Sequence, residues 1–210
     1  RTSSSVSRIQ PSDLSDELLA TIDARVLHLT GITLAISTSA RATALRLLRW
    51  AQAKQIPVSF DVNYRSKLWN TQQAVEGCNS FMQAASIIFI PQRDALNLYG
   101  TDALETLQQK FPQATIVMTT GSDGSVAITS DGKLHRQAAF PAEVVCRIGG
   151  GDAFAAGYLY GYCTGRSIQQ ALELASASAS LKYTLTGDLP LISLEQVTAL
   201  ISEGKSEVKR

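Results

Sequence analysis

Short runs of β-branched and apolar residues alternate with longer amphipathic segments over the first 120 residues, and no other feature of the chain constrains its fold as strongly. The runs Val26–Leu29, Ile32–Ile36, Pro57–Asp61, Ser86–Ile90 and Ala114–Thr119 predict buried parallel strands. Between them, Asp13–Ala24, Ala40–Lys54 and Thr71–Ala85 predict helices. Pro11 and Ser12 supply start signals for the first, and Leu45, Leu48 and Ala51 fall at helical spacing in the second. Such alternation predicts an α/β chain, a three-layer α-β-α sandwich around a mainly parallel sheet. After Thr120 the pattern changes. Gly121-Ser122-Asp123-Gly124 reads as a turn, Ser125–Thr129 as a strand, Asp131-Gly132 as a hairpin signal and Lys133–Phe140 as another strand, together an antiparallel edge. Gly151–Thr164, Ser167–Leu185 and Ser193–Glu203 are helical again. With no repeat, no low-complexity tract and no dividing linker, residues 1–210 read as a single α/β domain.

Composition excludes several classes of function. Nineteen basic and 18 acidic residues leave a formal charge of +1, which argues against nucleic acid or an anionic membrane as a main partner. No apolar run reaches the roughly 18 residues a spanning helix needs. Arg1-Thr2-Ser3-Ser4-Ser5 has no apolar core after its charge, so no secretory signal is read there. Cys78, Cys146 and Cys163 are too few and scattered for a disulfide framework or zinc knuckle, which makes a reducing cytoplasm the expected setting. A start at Arg1 rather than Met leads us to expect a processed chain or a fragment.

Three segments could carry chemistry. In Val144–Gly157 a strand is expected to run into Gly149-Gly150-Gly151, then Asp152, then a helix rich in small residues. Successive glycines let backbone N–H groups converge at a helix N-terminus as an anion cradle, and an aspartate there can take a proton from a hydroxyl. The same residues also fit a flexible turn in which Asp152 merely favours the helix dipole. The second segment, Phe60-Asp61-Val62-Asn63-Tyr64-Arg65-Ser66-Lys67-Leu68-Trp69, ends a predicted strand, at the sheet edge where open α/β folds bind ligands. Arg65 there suits a carboxylate, held bidentately; a solvated loop with Trp69 tucked on the core is the plainer alternative. The third, Val117–Ser125, could bring a glycine turn close to a nucleotide or be an ordinary hairpin turn. His28 and His135 stand alone, and neither a G-x-G-x-x-G run (Phe154 holds its third glycine position) nor a P-loop (Ala199 replaces its first glycine before Gly204-Lys205-Ser206) is present.

Taken together, these segments resemble the ribokinase-like, or PfkB, family of carbohydrate kinases, and within it the 2-keto-3-deoxygluconate kinases. Cys146–Asp152 is similar to the family's Asp-x-x-Gly-Ala-Gly-Asp, and Asp61–Trp69 matches D-x-N-x-R-x-K-L-W. Arg1–Ser7 resembles the family's Arg-x-x-Ser-Ala-x-Ser strand, and Leu27–Ile32 and Lys182–Asp188 also read as family sequence. The resemblance implies a ribokinase-like fold lacking most of the N-terminal β-lid, the chain being the C-terminal two-thirds of the usual length. It implies transfer of the ATP γ-phosphate to a sugar hydroxyl, with Mg²⁺, small-molecule partners only, and room for a homo-oligomer. By matching position, Asp152 would be the base, and Gly149, Gly150 and Gly151 the anion hole. Arg65, helped by Arg1 and with Asn63 in the same segment, would hold a sugar acid. Gly121 and Gly124 would lie beneath the nucleotide and Ser176 beside adenine. Two departures stand out in the signature: Cys146 replaces an aspartate and Gly150 the usual alanine. A third lies at Pro91–Leu96, where the family's Asn-x-x-Glu element lacks its glutamate and Asp94 is the candidate metal ligand. Departures of this kind keep a catalytically impaired, pseudokinase-like binding protein and a fructokinase-like neutral-sugar kinase as alternatives.

Overall fold

The computed structural model describes residues 4–207, with side chains from 4 to 204. In chain order the elements are α1 (Ser5–Arg8), α2 (Asp16–Ala20), β1 (Leu27–Thr30), α3 (Gly31–Ile36), α4 (Thr38–Ala53), β2 (Val58–Asp61), α5 (Thr71–Ala84) and β3 (Ile87–Pro91). There follow α6 (Gln92–Tyr99), α7 (Leu104–Lys110), β4 (Thr115–Thr119), β5 (Ser125–Ile128), β6 (Leu134–Gln137), α8 (Gly150–Cys163), α9 (Ile168–Tyr183) and α10 (Leu194–Glu207). The strands form one mostly parallel sheet in sequence order, β1-β2-β3-β4-β5-β6, and the architecture is of the three-layer α/β class. No helix of the described residues is long and apolar enough to cross a membrane. Residues divide into two compact units, one of Arg1–Met118 with Ile128–Lys133 and one of Thr119–Ala127 with Leu134–Arg210.

In the first unit, β1 pairs parallel with β2 (Leu29 opposite Phe60) and β2 with β3 (Phe60 opposite Ile88). Every residue of β2 and the first four of β3 are buried, as expected of parallel strands covered on both faces. Phe60 stacks on Phe81 of α5 with centroids 5.6 Å apart. Helix α4 turns Ala40, Ala44, Leu48 and Ala51 inward at spacings of three and four, and its N-cap Ser37 accepts a hydrogen bond from the Ala40 N–H at 3.0 Å. Helix α5 starts with a reciprocal cap between Asn70 and Gln73. Cys78 faces the core, and burial pushes its thiol up to about 12, which leaves it inert.

In the second unit, α8 and α9 lie close because small residues meet at the contact. A Cβ on Gly157 would come within 2.7 Å of the Leu174 carbonyl oxygen, and one on Gly161 within 2.9 Å of Ala171 Cα. Leu174, Ala177 and Val197 join α9 to α10 in a small apolar cluster.

Several expected boundaries are corrected. Ile32–Ile36 is helix α3, not a strand: only Gly31 and Leu34 of that element are buried, at helical spacing, and so short an apolar run fits either period. The segment expected as an N-terminal strand forms helix α1 from Ser5, because Ser4 caps it by accepting from the Ser7 N–H. The strand read as Lys133–Phe140 stops at Gln137, since the next carbonyls are taken by α9 hydroxyls: Ser176 donates to Ala138 O and Ser180 to Phe140 O. Val144–Arg147 forms no ladder; the Val145 and Cys146 N–H groups both donate to Tyr183 O, at 2.8 and 3.0 Å. The short helices α6 and α7 were not anticipated, and Gly204-Lys205-Ser206 lies inside α10.

Candidate functional site

The first unit carries a basic pocket just beyond β2. Asp61 ends that strand and accepts the Asn63 N–H at 3.1 Å, which turns the chain; Asn63 takes φ 38°, a conformation asparagine tolerates better than most residues. Next, the Tyr64 N–H donates to Asp94 Oδ2 at 3.1 Å, which fixes the base of the loop. Arg65 then projects into a cavity of about 420 Å³ lined by Tyr64, Arg65, Ser66, Lys67, Arg93, Asp94 and Asn97. Arg93 also pairs with Asp94, through Nη2 to Oδ1 at 3.2 Å. Asp94 is therefore buried with both oxygens engaged, while Arg65 and Lys67 remain exposed. The pocket presents positive charge. Trp69 packs inward, 6% exposed, beneath Arg41, so the plainer reading of that aromatic holds alongside the pocket. Asn63 shapes the turn and is not among the lining residues; Arg1 lies outside the described residues.

The second unit carries a backbone cradle. Gly149 is the N-cap of α8 with φ 79°, a left-handed turn that favours glycine. The first intrahelical bond runs from the Ala153 N–H to Gly149 O at 2.9 Å, so the N–H groups of Gly151 and Asp152 have no intrahelical acceptor. Gly150 is buried with its N–H directed at Arg147 O, at 3.5 Å. Gly151 is exposed, and a Cβ built on it would meet nothing within 4 Å, so there is open space at this first turn of the helix. That space and the helix dipole suit a phosphoryl group. Asp152 is exposed in the first turn, and no described residue hydrogen-bonds its carboxylate.

Gly150 has a local reason for departing from the family's alanine. A Cβ there would fall 2.2 Å from the Tyr183 ring, which already fills the space. Tyr183 also lines a cavity of about 290 Å³ with Gly121, Ser122, Phe140, Arg147 and Ser180, among others. Gly121 thus lines a pocket. Gly124 lies hard against the end of β6, where a Cβ would be 2.1 Å from Gln137 O. Ser176 donates to Ala138 O and is not a lining residue; Ser180, one helical turn on, is. The sequence reading missed Tyr183, Ser180 and Arg147. A signal existed, since Ser176, Ser180 and Tyr183 recur at helical spacing along one run.

The donor set fits a nucleotide's phosphates better than it fits a protein-held metal. Among the described residues no group of three His, Cys, Asp or Glu side chains could hold a metal ion, and Asp94 is committed to Tyr64 and Arg93.

The second unit thus presents a glycine-capped helix start with an exposed carboxylate beside it, on a mainly parallel α/β frame. The description "pfkB family carbohydrate kinase" matches residues 4–192, and the chain belongs to that family. It is 30% identical, over 100% of its length and 67% of the relative's, to the 2-dehydro-3-deoxygalactonokinase of Haloferax volcanii. Aminoimidazole riboside kinase from Salmonella enterica, solved with aminoimidazole riboside and an ATP analogue, superposes with a TM-score of 0.76 at 25% identity, covering 92% of this chain and 66% of that one. The fold is shared with 2-dehydro-3-deoxygluconokinase from Thermotoga maritima at a TM-score of 0.84 and 24% identity, covering 95% of this chain and 66% of that one. The chain spans 57–67% of the length of the curated relatives it matches.

Proposed function

We propose that this chain is the nucleotide-binding and base-bearing part of an ATP-dependent kinase for a keto-deoxy sugar acid, most simply 2-keto-3-deoxygluconate. The observation that carries the reading is the α8 N-terminus, where free N–H groups, open space and the Asp152 carboxylate occur within one helical turn. Asp152 would accept the proton of the attacking sugar hydroxyl as its oxygen bonds the γ-phosphorus and ADP leaves. The N–H groups of Gly151 and Asp152, with the turn at Gly149 and Gly150, would bind the charge that builds on the phosphoryl oxygens. The cavity at Gly121 and Tyr183 would hold the rest of the nucleotide, flanked by the α9 face that bears Ser176 and Ser180. The Arg65 pocket would take the carboxylate, because charged side chains dominate it and a guanidinium matches a carboxylate bidentately. Mg²⁺ would accompany the nucleotide phosphates; we assign it no ligand from Asp94.

The test is release of ADP from Mg·ATP in the presence of 2-keto-3-deoxygluconate, its galacto epimer, fructose or no sugar. Turnover with the acids alone supports the reading, and turnover with fructose alone shifts it to a neutral-sugar kinase. A second reading, a pseudokinase-like binding protein, is favoured by Cys146 where the family has an aspartate. Nucleotide binding without turnover on any sugar would establish it.

A further inference from the structure

We infer that Lys182 is a positioning residue for the anion cradle: its buried ammonium ties the chain that follows α9 to the Gly149 turn and places a positive charge behind it. The inference rests on the reading of Gly149–Asp152 as a phosphate site. Lys182 is 0% exposed, and a lysine is almost never so deeply buried without a reason. No ion pair among the described residues engages it. Instead Nζ donates to Gly187 O at 2.9 Å and to Leu185 O at 3.3 Å. Those two carbonyls belong to the segment that leads to Asp188, whose own carbonyl would lie 2.6 Å from a Cβ on Gly149; Lys182 Cε would lie 3.3 Å from it. The lysine stem and the segment it gathers therefore lie close against the residue whose left-handed turn starts α8.

Packing alone does not account for an ammonium here. A methionine would fill the same volume without the cost of desolvating a charge. Two carbonyl dipoles solvate that charge but do not cancel it. The Cys146 thiol approaches the same Gly187 oxygen, with Sγ at 3.7 Å, and brings no carboxylate to the cluster. A positive charge in this position adds to the partial charge of the α8 N-terminus and favours an anion above Gly151.

Pyrophosphate and ADP binding to the whole chain, measured by calorimetry, tests this with Lys182→Met, Lys182→Ala and Lys182→Arg. Lys182→Met should weaken pyrophosphate binding about tenfold or more, the scale expected when a charged donor is lost. Lys182→Arg should retain more affinity than Lys182→Met. Ammonium chloride should restore binding to Lys182→Ala where equimolar tetramethylammonium chloride does not. Equal pyrophosphate affinity in wild type and a folded Lys182→Met overturns the inference and leaves the phosphate site intact. A wild type that binds neither ligand overturns both. Should Lys182→Met fail to fold, hydrogen exchange on the wild type decides. Pyrophosphate should slow exchange in 185–188 together with 149–152, and protection confined to 149–152 overturns the proposal.

Discussion

Around Arg65, positive charge sits on side chains carried by a loop, and a single buried carboxylate, Asp94, holds that loop by its backbone. At the start of α8 the positive character comes from backbone N–H groups, and what holds them is steric: the Tyr183 ring against Gly150 and the Asp188 carbonyl against Gly149. The difference teaches which changes each region tolerates. A side-chain site changes its ligand when one side chain changes, which suits recognition of one sugar among many. A backbone site keeps its chemistry through most side-chain changes and fails when the atoms behind it move, which suits a step common to every substrate.

The sharpest way to break this comparison is Asp152→Asn, which keeps shape and removes the proton acceptor. Phosphoryl transfer should fall about 10²–10⁴-fold with nucleotide affinity unchanged, measured by single-turnover kinetics and calorimetry. Wild-type turnover would reduce Asp152 to a helix-dipole residue. Next in size, Arg65→Ala should weaken binding of a keto-deoxy acid by about 1.5–3 kcal/mol and leave ADP binding alone. An unchanged acid affinity would remove the loop from recognition. The smallest effect is on stability. Gly150→Ala should cost about 1–3 kcal/mol in urea unfolding because the new methyl meets the Tyr183 ring, and adding Tyr183→Leu should recover most of it. If Gly150→Ala unfolds like wild type, the ring does not set the cradle.

The alternation of strands and helices was legible because burial on both faces leaves apolar runs such as Ile87–Ile90 with little room for another reading. Ile32–Ile36 was misread because its apolar run has no length to separate a period of two from one of 3.6. The glycine-capped start of α8 was legible through Gly149 and Gly150, whose identities follow from a left-handed turn and a tight contact. The bonds of Asp94 were not legible: of the two groups it accepts from, Tyr64 and Arg93, the first is joined to it by no local pattern. The burial of Lys182 escaped the sequence for a related cause. A lysine in a run of alanines and serines looks like a solvated position, and only the tertiary packing shows that it faces inward.

The glycine-lined contact between α8 and α9 has a mechanical consequence. Where backbone comes against backbone, as Gly157 does at Leu174 O and Gly161 at Ala171 Cα, little side-chain bulk lies between the two rods to absorb a displacement. The pair responds to force as a stiff beam. Tilting the end that bears Asp152 must carry α9 and its Tyr183 along, so the Asp152 carboxylate and the wall of the neighbouring cavity shift in step.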